Sequence, residues 1–233
     1  TQNKIPIQRF YEELKGVESG FGLKQGFLEF WVPLFLVCNN EQFALYREPN
    51  EYVPYFNKES FDVMHKNPKL FSIRFYEDNP EKSQIALAYQ NLIGSKLVKY
   101  NSNRSQISVY TDFLRIVSNQ TNYAKRTKRI KPMAVRVRDA ILNASDPESA
   151  LFVEIPKALG VNVKSIKDTN RPDALSEVYL EHLRVAMSQI EGAFAELLDD
   201  LERHLYVDFR LEEAGTFEQN QVRIRELLSS SVN

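Results

Sequence analysis

A mainly α-helical fold, with a small β unit near the N-terminus and a long C-terminal helix, is predicted from three observations. Glycine is scarce, with eight in 233 residues. Most of the chain consists of helix-forming residues whose apolar positions recur three and four apart. Residues 42–76 differ, because short aromatic-rich runs there alternate with polar residues. We therefore expect a winged-helix-like α+β unit over residues 1–78 and a helical region over residues 79–233.

The N-terminal unit is predicted to contain helices and three strands. The run Arg47-Glu48-Pro49-Asn50 separates two aromatic segments, which is typical of a hairpin with a four-residue turn. The predicted elements are helices over 7–17 and 22–38, strands over 42–46 and 51–55, a short helix over 58–66 and a third strand over 70–76.

Proline and acidic residues mark the helix starts in the second region. Asn79-Pro80-Glu81 and Asp146-Pro147-Glu148 each place a capping side chain, a proline and an acid in the order that favours a helix N-terminus, and Lys131-Pro132 opens another helix. A polar loop is expected over 161–172. The predicted helices are 79–100, 104–117, 132–144, 147–160 and 172–206, with a last one from about Thr216.

Charge is strongly segregated along the chain, although the net charge is only −1. The segment 95–138 holds eleven basic residues and one acid, Asp112, whereas 173–218 holds twelve acids and three arginines. Most of that acidic segment lies in the long helix predicted from residue 173 to 206. A protein of this kind binds a polyanion, docks against itself, or does both.

The densest part of the basic segment is the strongest candidate binding site. Five cations lie within the seven residues 125–131, and like charges at this density favour an accompanying anion such as a phosphate backbone. Asn122 and Tyr123 are placed to hydrogen-bond or stack beside it, and the helix that opens at Pro132 would offer free N–H groups. The predicted nucleic-acid-binding residues are Lys125, Arg126, Lys128, Arg129, Lys131, Arg136 and Arg138, with Arg47 at the hairpin turn. Two alternatives remain open: pairing with the acidic helix, and simple solvation.

No catalytic motif is recognisable. The glycines between Gly16 and Gly22 lack the lysine and hydroxyl of a phosphate-binding loop. The three histidines have no metal-ligand spacing, and Cys38 lies in an apolar run, where it is interpreted as a buried small hydrophobe. We expect no enzymatic activity, no metal and no cofactor, although an active site assembled from dispersed residues remains a third interpretation.

The chain carries no recognisable targeting or membrane segment. Its longest apolar run, 27–38, is shorter than the roughly 20 residues of a membrane span and is interpreted as a buried helix. A cytoplasmic location and no membrane partner are expected. The absence of an initial methionine suggests a piece of a longer polypeptide.

Several short runs resemble one known group of proteins. Four runs are similar to a segment of very large bacterial P-loop ATPases that are often associated with phage-defence or restriction loci: Pro33-Leu34-Phe35-Leu36, Gln42-Phe43-Ala44-Leu45-Tyr46, Tyr52-Val53-Pro54 and the run from Asn67 to Arg74. The runs 138–147 and 155–160 resemble the region after the ATPase core of those proteins. The resemblance covers about the first 160 residues and implies a non-catalytic accessory region, to which no catalytic residue transfers.

Together these features predict a non-enzymatic module that binds nucleic acid, with DNA favoured, or positions DNA within a larger NTP-driven protein. The alternative is a protein-interaction or oligomerisation scaffold, in which the acidic helix pairs with a basic segment.

Overall fold

A computed structural model describes residues 4–77, 80–94, 105–161, 177–209 and 217–230. Near the N-terminus, four antiparallel strands form one sheet, in the spatial order β1-β4-β2-β3. The strands are β1 (Ile5–Pro6), β2 (Phe43–Arg47), β3 (Glu51–Val53) and β4 (Phe71–Phe75).

Helices make up most of the remaining described chain. Pro68–Leu70 forms a single 3₁₀ turn, and Ala150–Glu154 forms a π-helical turn between two short helices. The α-helices are α1 (Ile7–Lys15), α2 (Gln25–Cys38), α3 (Lys58–Lys66), α4 (Pro80–Ile93), α5 (Gln106–Ser118), α6 (Asn122–Arg126), α7 (Pro132–Asn143), α8 (Pro147–Ser149), α9 (Ile155–Ala158), α10 (Glu177–Asp208) and α11 (Phe217–Ser230).

The predicted fold class is confirmed: the protein is mostly helical, with a small antiparallel sheet near the N-terminus and a long C-terminal helix. Some details differ. The hairpin turn has three residues rather than four, because Arg47 still pairs with Glu51 across the strands. The strand β1 and the helix α6 were not predicted, since elements of two and five residues are too short to show a period.

Some predicted features lie outside the described residues. These are the Asn79 cap, the extension of α4 to residue 100, the basic residues of 95–104, most of the loop 161–172, the predicted start of the long helix at 172, and Thr216.

The two faces of the sheet belong to different cores. Because successive strand residues point to opposite faces, Leu45 and Ile73 pack with α1, α2 and α3. Ala44, Tyr46 and Tyr52 point the other way and pack with the helices that follow. The sheet is therefore shared by the N-terminal unit and the helical region.

The helix α2 is less buried than predicted. Leu28, Val32 and Leu36 are fully buried, but Phe30 on the opposite side is 69% exposed, and Cys38 at the C-terminal end is exposed too. The apolar run covers the whole circumference of the helix, and only one face meets the core. The interpretation of Cys38 as a buried hydrophobe is wrong for this reason.

The proximal part of α10 closes the helical core. It packs against α7, α6 and α4 through residues spaced three and four apart. Its buried residues are Tyr179, Leu183, Ala186, Met187, Ile190 and Ala193. Tyr179 also shares a buried hydroxyl contact with Tyr89 of α4. This half of the long helix is a core element, as its periodicity predicts.

A buried carboxylate, that of Asp146, joins the sheet to the helical region. Its Oδ2 accepts hydrogen bonds from Tyr46 at 2.8 Å, from Tyr76 at 2.5 Å and from the Arg74 guanidinium at 2.5 Å. Its Oδ1 accepts the N–H of Ser149 at 3.0 Å and so caps α8. One residue thus terminates a helix and holds three side chains of the β2 and β4 region.

A second carboxylate extends this cluster. Glu148 pairs with Arg74 and, at 2.5 Å, with the Nζ of Lys82 in α4. Arg74 is therefore held by two acids, and its guanidinium also lies over the Tyr76 ring. Because ion pairs this buried leave a costly charge when one partner is lost, the cluster constrains how the sheet sits on the helices.

The protonation state of Asp146 is set by these contacts. Burial acts to raise its pKa, but hydrogen bonds from Tyr76, the Ser149 backbone and Tyr46, together with the charge of Arg74, outweigh burial and lower the pKa below its ordinary value. The carboxylate is ionised at neutral pH. Burial raises the pKa of Tyr46 and of Tyr76, so both hydroxyls stay protonated and remain able to donate.

Replacing Asp146 should destabilise the fold in a pH-dependent way. We expect Asp146→Asn to lower the free energy of unfolding at pH 7 by about 2–4 kcal/mol, because it removes a buried charge-assisted network. Since the pKa of Asp146 is lower in the folded than in the unfolded state, its contribution to the free energy of unfolding is present above about pH 4. That contribution is lost as the pH falls through the folded-state pKa. Urea unfolding at pH 7 and near pH 3 measures both effects.

The matched control is Asp200→Asn. Asp200 also pairs with an arginine, Arg203 at 3.2 Å, but its side chain is 51% exposed, so a change below about 0.5 kcal/mol is expected. Equal losses in the two variants would show that the Asp146 cluster does not hold the sheet in place.

Candidate nucleic-acid interface

The five clustered cations of residues 125–131 lie at the end of α6 and on the short loop that leads into α7. Thr121 caps α6 by accepting the N–H of Ala124 at 3.2 Å, and the N–H of Thr127 closes the helix on the carbonyl of Tyr123 at 2.8 Å. Residues 127–131 then lead into α7, which begins at Pro132. We call the five cationic side chains of residues 125–131 the basic surface.

Two buried side chains explain why the cations of this stretch point outward. Thr127 and Ile130 are each 8% exposed and pack inward, and Thr127 Oγ1 also accepts the N–H of Arg129 at 3.1 Å. The residues beside them therefore face solvent. Arg126, Lys128, Arg129 and Lys131 are exposed, and none of them makes an ion pair with a described residue. No acidic residue occurs between Phe113 and Arg138 in the sequence, so nothing nearby along the chain neutralises them.

Arg138 does not belong to the exposed set. It is 3% exposed, and its guanidinium donates to the carbonyls of Ala124 at 3.2 Å and Thr127 at 2.6 Å. The same group pairs with Asp139 at 2.9 Å. Its predicted role as an extension of the binding surface is therefore corrected: Arg138 lies beneath the surface and ties α6 and the following loop to α7.

Lys125 and Arg136 are intermediate cases. The Nζ of Lys125 donates to the carbonyl of Ser118 at the end of α5, at 3.2 Å. Arg136 Nε donates to the carbonyl of Ala158 at the end of α9, at 3.0 Å. A cation at a helix C-terminus interacts favourably with the helix dipole, so each has a structural role beside any contact with a ligand.

The neighbouring polar groups are arranged less favourably than expected for base stacking. The Tyr123 ring packs against Phe194 of α10, with 6.4 Å between centroids, so its face is partly engaged. Asn122 is exposed in the first turn of α6. The helix α7 starts next to the loop cations, with Lys131 at the N-cap and no side-chain cap, so its first N–H groups are not bonded within the helix.

Arg47 belongs to a different element from the other predicted residues. It is an exposed residue at the end of β2, opposite Glu51 across the hairpin. A neighbouring acid weakens its attraction for phosphate. The structure thus groups five of the eight predicted residues at the end of α6 and on the loop before α7. Arg136 lies one turn into α7, Arg138 lies beneath the loop, and Arg47 lies on the sheet.

The acidic helix α10 packs against the helices that flank the basic surface, but the described contacts between them are not ion pairs. The helix α10 contacts α6 and α7 with apolar side chains, and two of its acids pair along their own helix, Glu181 with Arg184 and Asp200 with Arg203. Within the described ranges, no ion pair joins α10 to residues 125–131. Among the described residues, pairing of the acidic helix with residues 125–131 inside one chain therefore finds no support.

Other features of the described residues point to no second chemical site. A cavity of about 480 Å³ between α7 and α9 has Arg136, Asp139, Glu154 and Lys157 on its walls, so charges of both signs line it. In the part of the chain that the structure describes, no group of His, Cys, Asp and Glu is placed to hold a metal ion. No described helix is both long and apolar enough to cross a membrane.

Comparison with known proteins gives no relative of this chain. No family model, no curated protein and no solved structure matches it.

The structural role of Arg138 is what the sequence analysis missed. Arg138 lies on the buried face of α7 together with Ala134, Val137 and Ile141. These apolar neighbours, spaced three and four apart, are the signal in the sequence from which its burial could have been predicted. A basic residue at a core-facing position is more often engaged with backbone carbonyls than with a ligand.

Removing the Arg138 guanidinium should loosen the loop that carries the cations. We expect Arg138→Gln to lower the free energy of unfolding by about 1–3 kcal/mol, because two buried carbonyls lose their donor. Amide hydrogen exchange of residues 122–131 should accelerate more than that of α5. Arg136→Gln, which removes the same group from an exposed position with one carbonyl partner, serves as the control. Similar effects in both variants would contradict the positioning role.

Proposed function

We propose that this chain is a non-enzymatic module that binds the phosphate backbone of nucleic acid, with DNA favoured, through the basic surface between α6 and α7. One observation supports it most: Arg126, Lys128, Arg129 and Lys131 are exposed together on a loop whose backbone is fixed from beneath by Arg138. A fixed array of cations loses little conformational freedom when it meets a regularly spaced polyanion.

The composition of the surface favours contacts with phosphates over contacts with bases. Lysine and arginine side chains dominate it, and the ring of Tyr123 is already packed on Phe194. Contacts to phosphate fix position and carry no sequence information by themselves. The exposed N-terminus of α7 adds backbone N–H donors that suit a phosphate oxygen. Binding is thus expected to depend strongly on salt and weakly on sequence.

The wider setting of the module is part of the same proposal. The resemblance of residues 33–74 and 138–160 to accessory regions of large bacterial P-loop ATPases favours a role in holding or positioning DNA for a larger NTP-driven protein. The module would then supply binding, and the energy-consuming step would belong to another domain.

Neutralising the basic surface should weaken binding to every sequence alike. Changing Lys125, Arg126, Lys128, Arg129 and Lys131 to glutamine should raise Kd and reduce the slope of log K against log salt by up to about 4.5, since each phosphate contact contributes about 0.9. Fluorescence anisotropy with a duplex of about 30 base pairs and with single-stranded DNA, at about 50 and 200 mM salt, measures this slope.

The matched control removes the same number of charges elsewhere. Arg9, Lys24, Lys58, Lys66 and Lys69 are side chains of the N-terminal unit, and all are exposed. Neutralising them gives a protein of identical net charge, which should keep most of the affinity. If both quintuple variants bind equally, or if the unaltered protein fails to bind at low salt, the basic surface is not a nucleic-acid site.

A further inference from the structure

Among the described residues, the distal part of α10, residues 194–208, is exposed around its whole circumference over two turns, although Phe194 at its base packs on Tyr123. Every residue from Leu198 to Leu205 is exposed, on all faces of the helix. We call residues 194–208 the distal arm. The proximal half of the same helix is a core element, so the arm is a continuation of a well-anchored rod. Its rigidity makes it suited to present a surface to a partner.

The distal arm is amphipathic, and its leucines are half-exposed in this chain. Leu198, Leu201 and Leu205 recur at three and four residues and are 49%, 50% and 50% exposed. Glu202 lies one turn from Leu198 and from Leu205, and Asp208 one turn after Leu205, so acids border the apolar stripe. The arm contains five acids and one arginine. It therefore fits an apolar helix face bordered by basic residues.

The last helix, α11, has that complementary pattern. Its apolar stripe consists of Ile224, Leu227 and Leu228, and Leu228 is 52% exposed. Arg223 lies one turn from Leu227 and Arg225 one turn from Leu228, so a cation borders the stripe on each side. The two helices carry opposite charges at the positions that flank their apolar faces.

We propose that the distal arm of one copy of this chain docks the helix α11 of a second copy, in a reciprocal two-fold dimer. Within one chain the leucines of the arm stay half-exposed, which leaves apolar surface for a second copy to cover. Glu202 of each copy faces Arg225 of the other, and the two apolar stripes are buried against each other.

The area needed for a stable dimer favours the reciprocal arrangement. Each partner buries about 800 Å² in a standard stable interface, more than three half-exposed leucines supply. A two-fold dimer forms the contact twice, because each copy contributes both an arm and an α11. The four helix segments then share one apolar centre, as in a small helical bundle. This inference does not depend on the proposed nucleic-acid binding.

The first test is the mass in solution, measured by sedimentation equilibrium over a range of micromolar concentrations. We expect a reversible dimer. Leu201→Asp should make the protein monomeric, because it places a charge in the apolar stripe. Phe30→Asp, a matched change at the exposed face of α2, should leave the dimer intact. Circular dichroism checks that each variant keeps its helix content.

Charge reversal identifies the partner helix. Glu202→Arg and Arg225→Glu should each weaken the dimer by about tenfold or more, since each places like charges at both equivalent contacts. An equimolar mixture of the two single variants should recover dimer, because a mixed pair restores opposite charges at both contacts. The double variant should recover it as well.

Each contrary result overturns the proposal. A monomer at every concentration excludes the dimer. Dissociation by Phe30→Asp and not by Leu201→Asp assigns the interface to α2. Dissociation by Leu201→Asp without any effect of Arg225→Glu means that the arm binds something other than α11. Failure of the mixed variants to associate excludes the reciprocal exchange.

Discussion

The carboxylate of Asp146 links the sheet to the helical region through hydrogen bonds from both. Tyr46 and Tyr76 approach it from the β2 and β4 region, as does Arg74, while the N–H of Ser149 approaches from α8. Each hydroxyl has one proton, and the two tyrosine oxygens also lie 2.6 Å apart, so the arrangement depends on an ionised acceptor between them. Without it a buried polar link between the two cores is lost.

The rest of the architecture builds on that junction. Residues after Asp146 form α8, the π turn and α9, and the carbonyl of Ala158 at the end of α9 receives Arg136 of α7. The helix α7 in turn carries Arg138, which fixes the loop of the basic surface, and packs against the proximal half of α10. A continuous series of packed elements therefore runs from the sheet to the exposed cations.

Local chemistry explains which elements could be predicted. The bounds of α3 follow from Asn57, whose side chain caps Ser60, and the start of α7 follows from Pro132. The two-residue strand β1 and the five-residue helix α6 are too short for a period, and tertiary contacts stabilise them. Apolar content alone did not reveal that Cys38 and Phe30 are exposed, because burial depends on which face meets a neighbour.

The fold class, the separation of charge and the cluster of cations at 125–131 can be predicted from the amino-acid sequence, because composition and periodicity are properties of the chain alone. Which of those cations face solvent depends on how the folded chain packs. Arg126 and Lys128 point outward because Thr127 packs inward between them, and Arg138 is buried because α7 turns that face to the core. Charge is set by residue type, but its availability to a partner is set by packing.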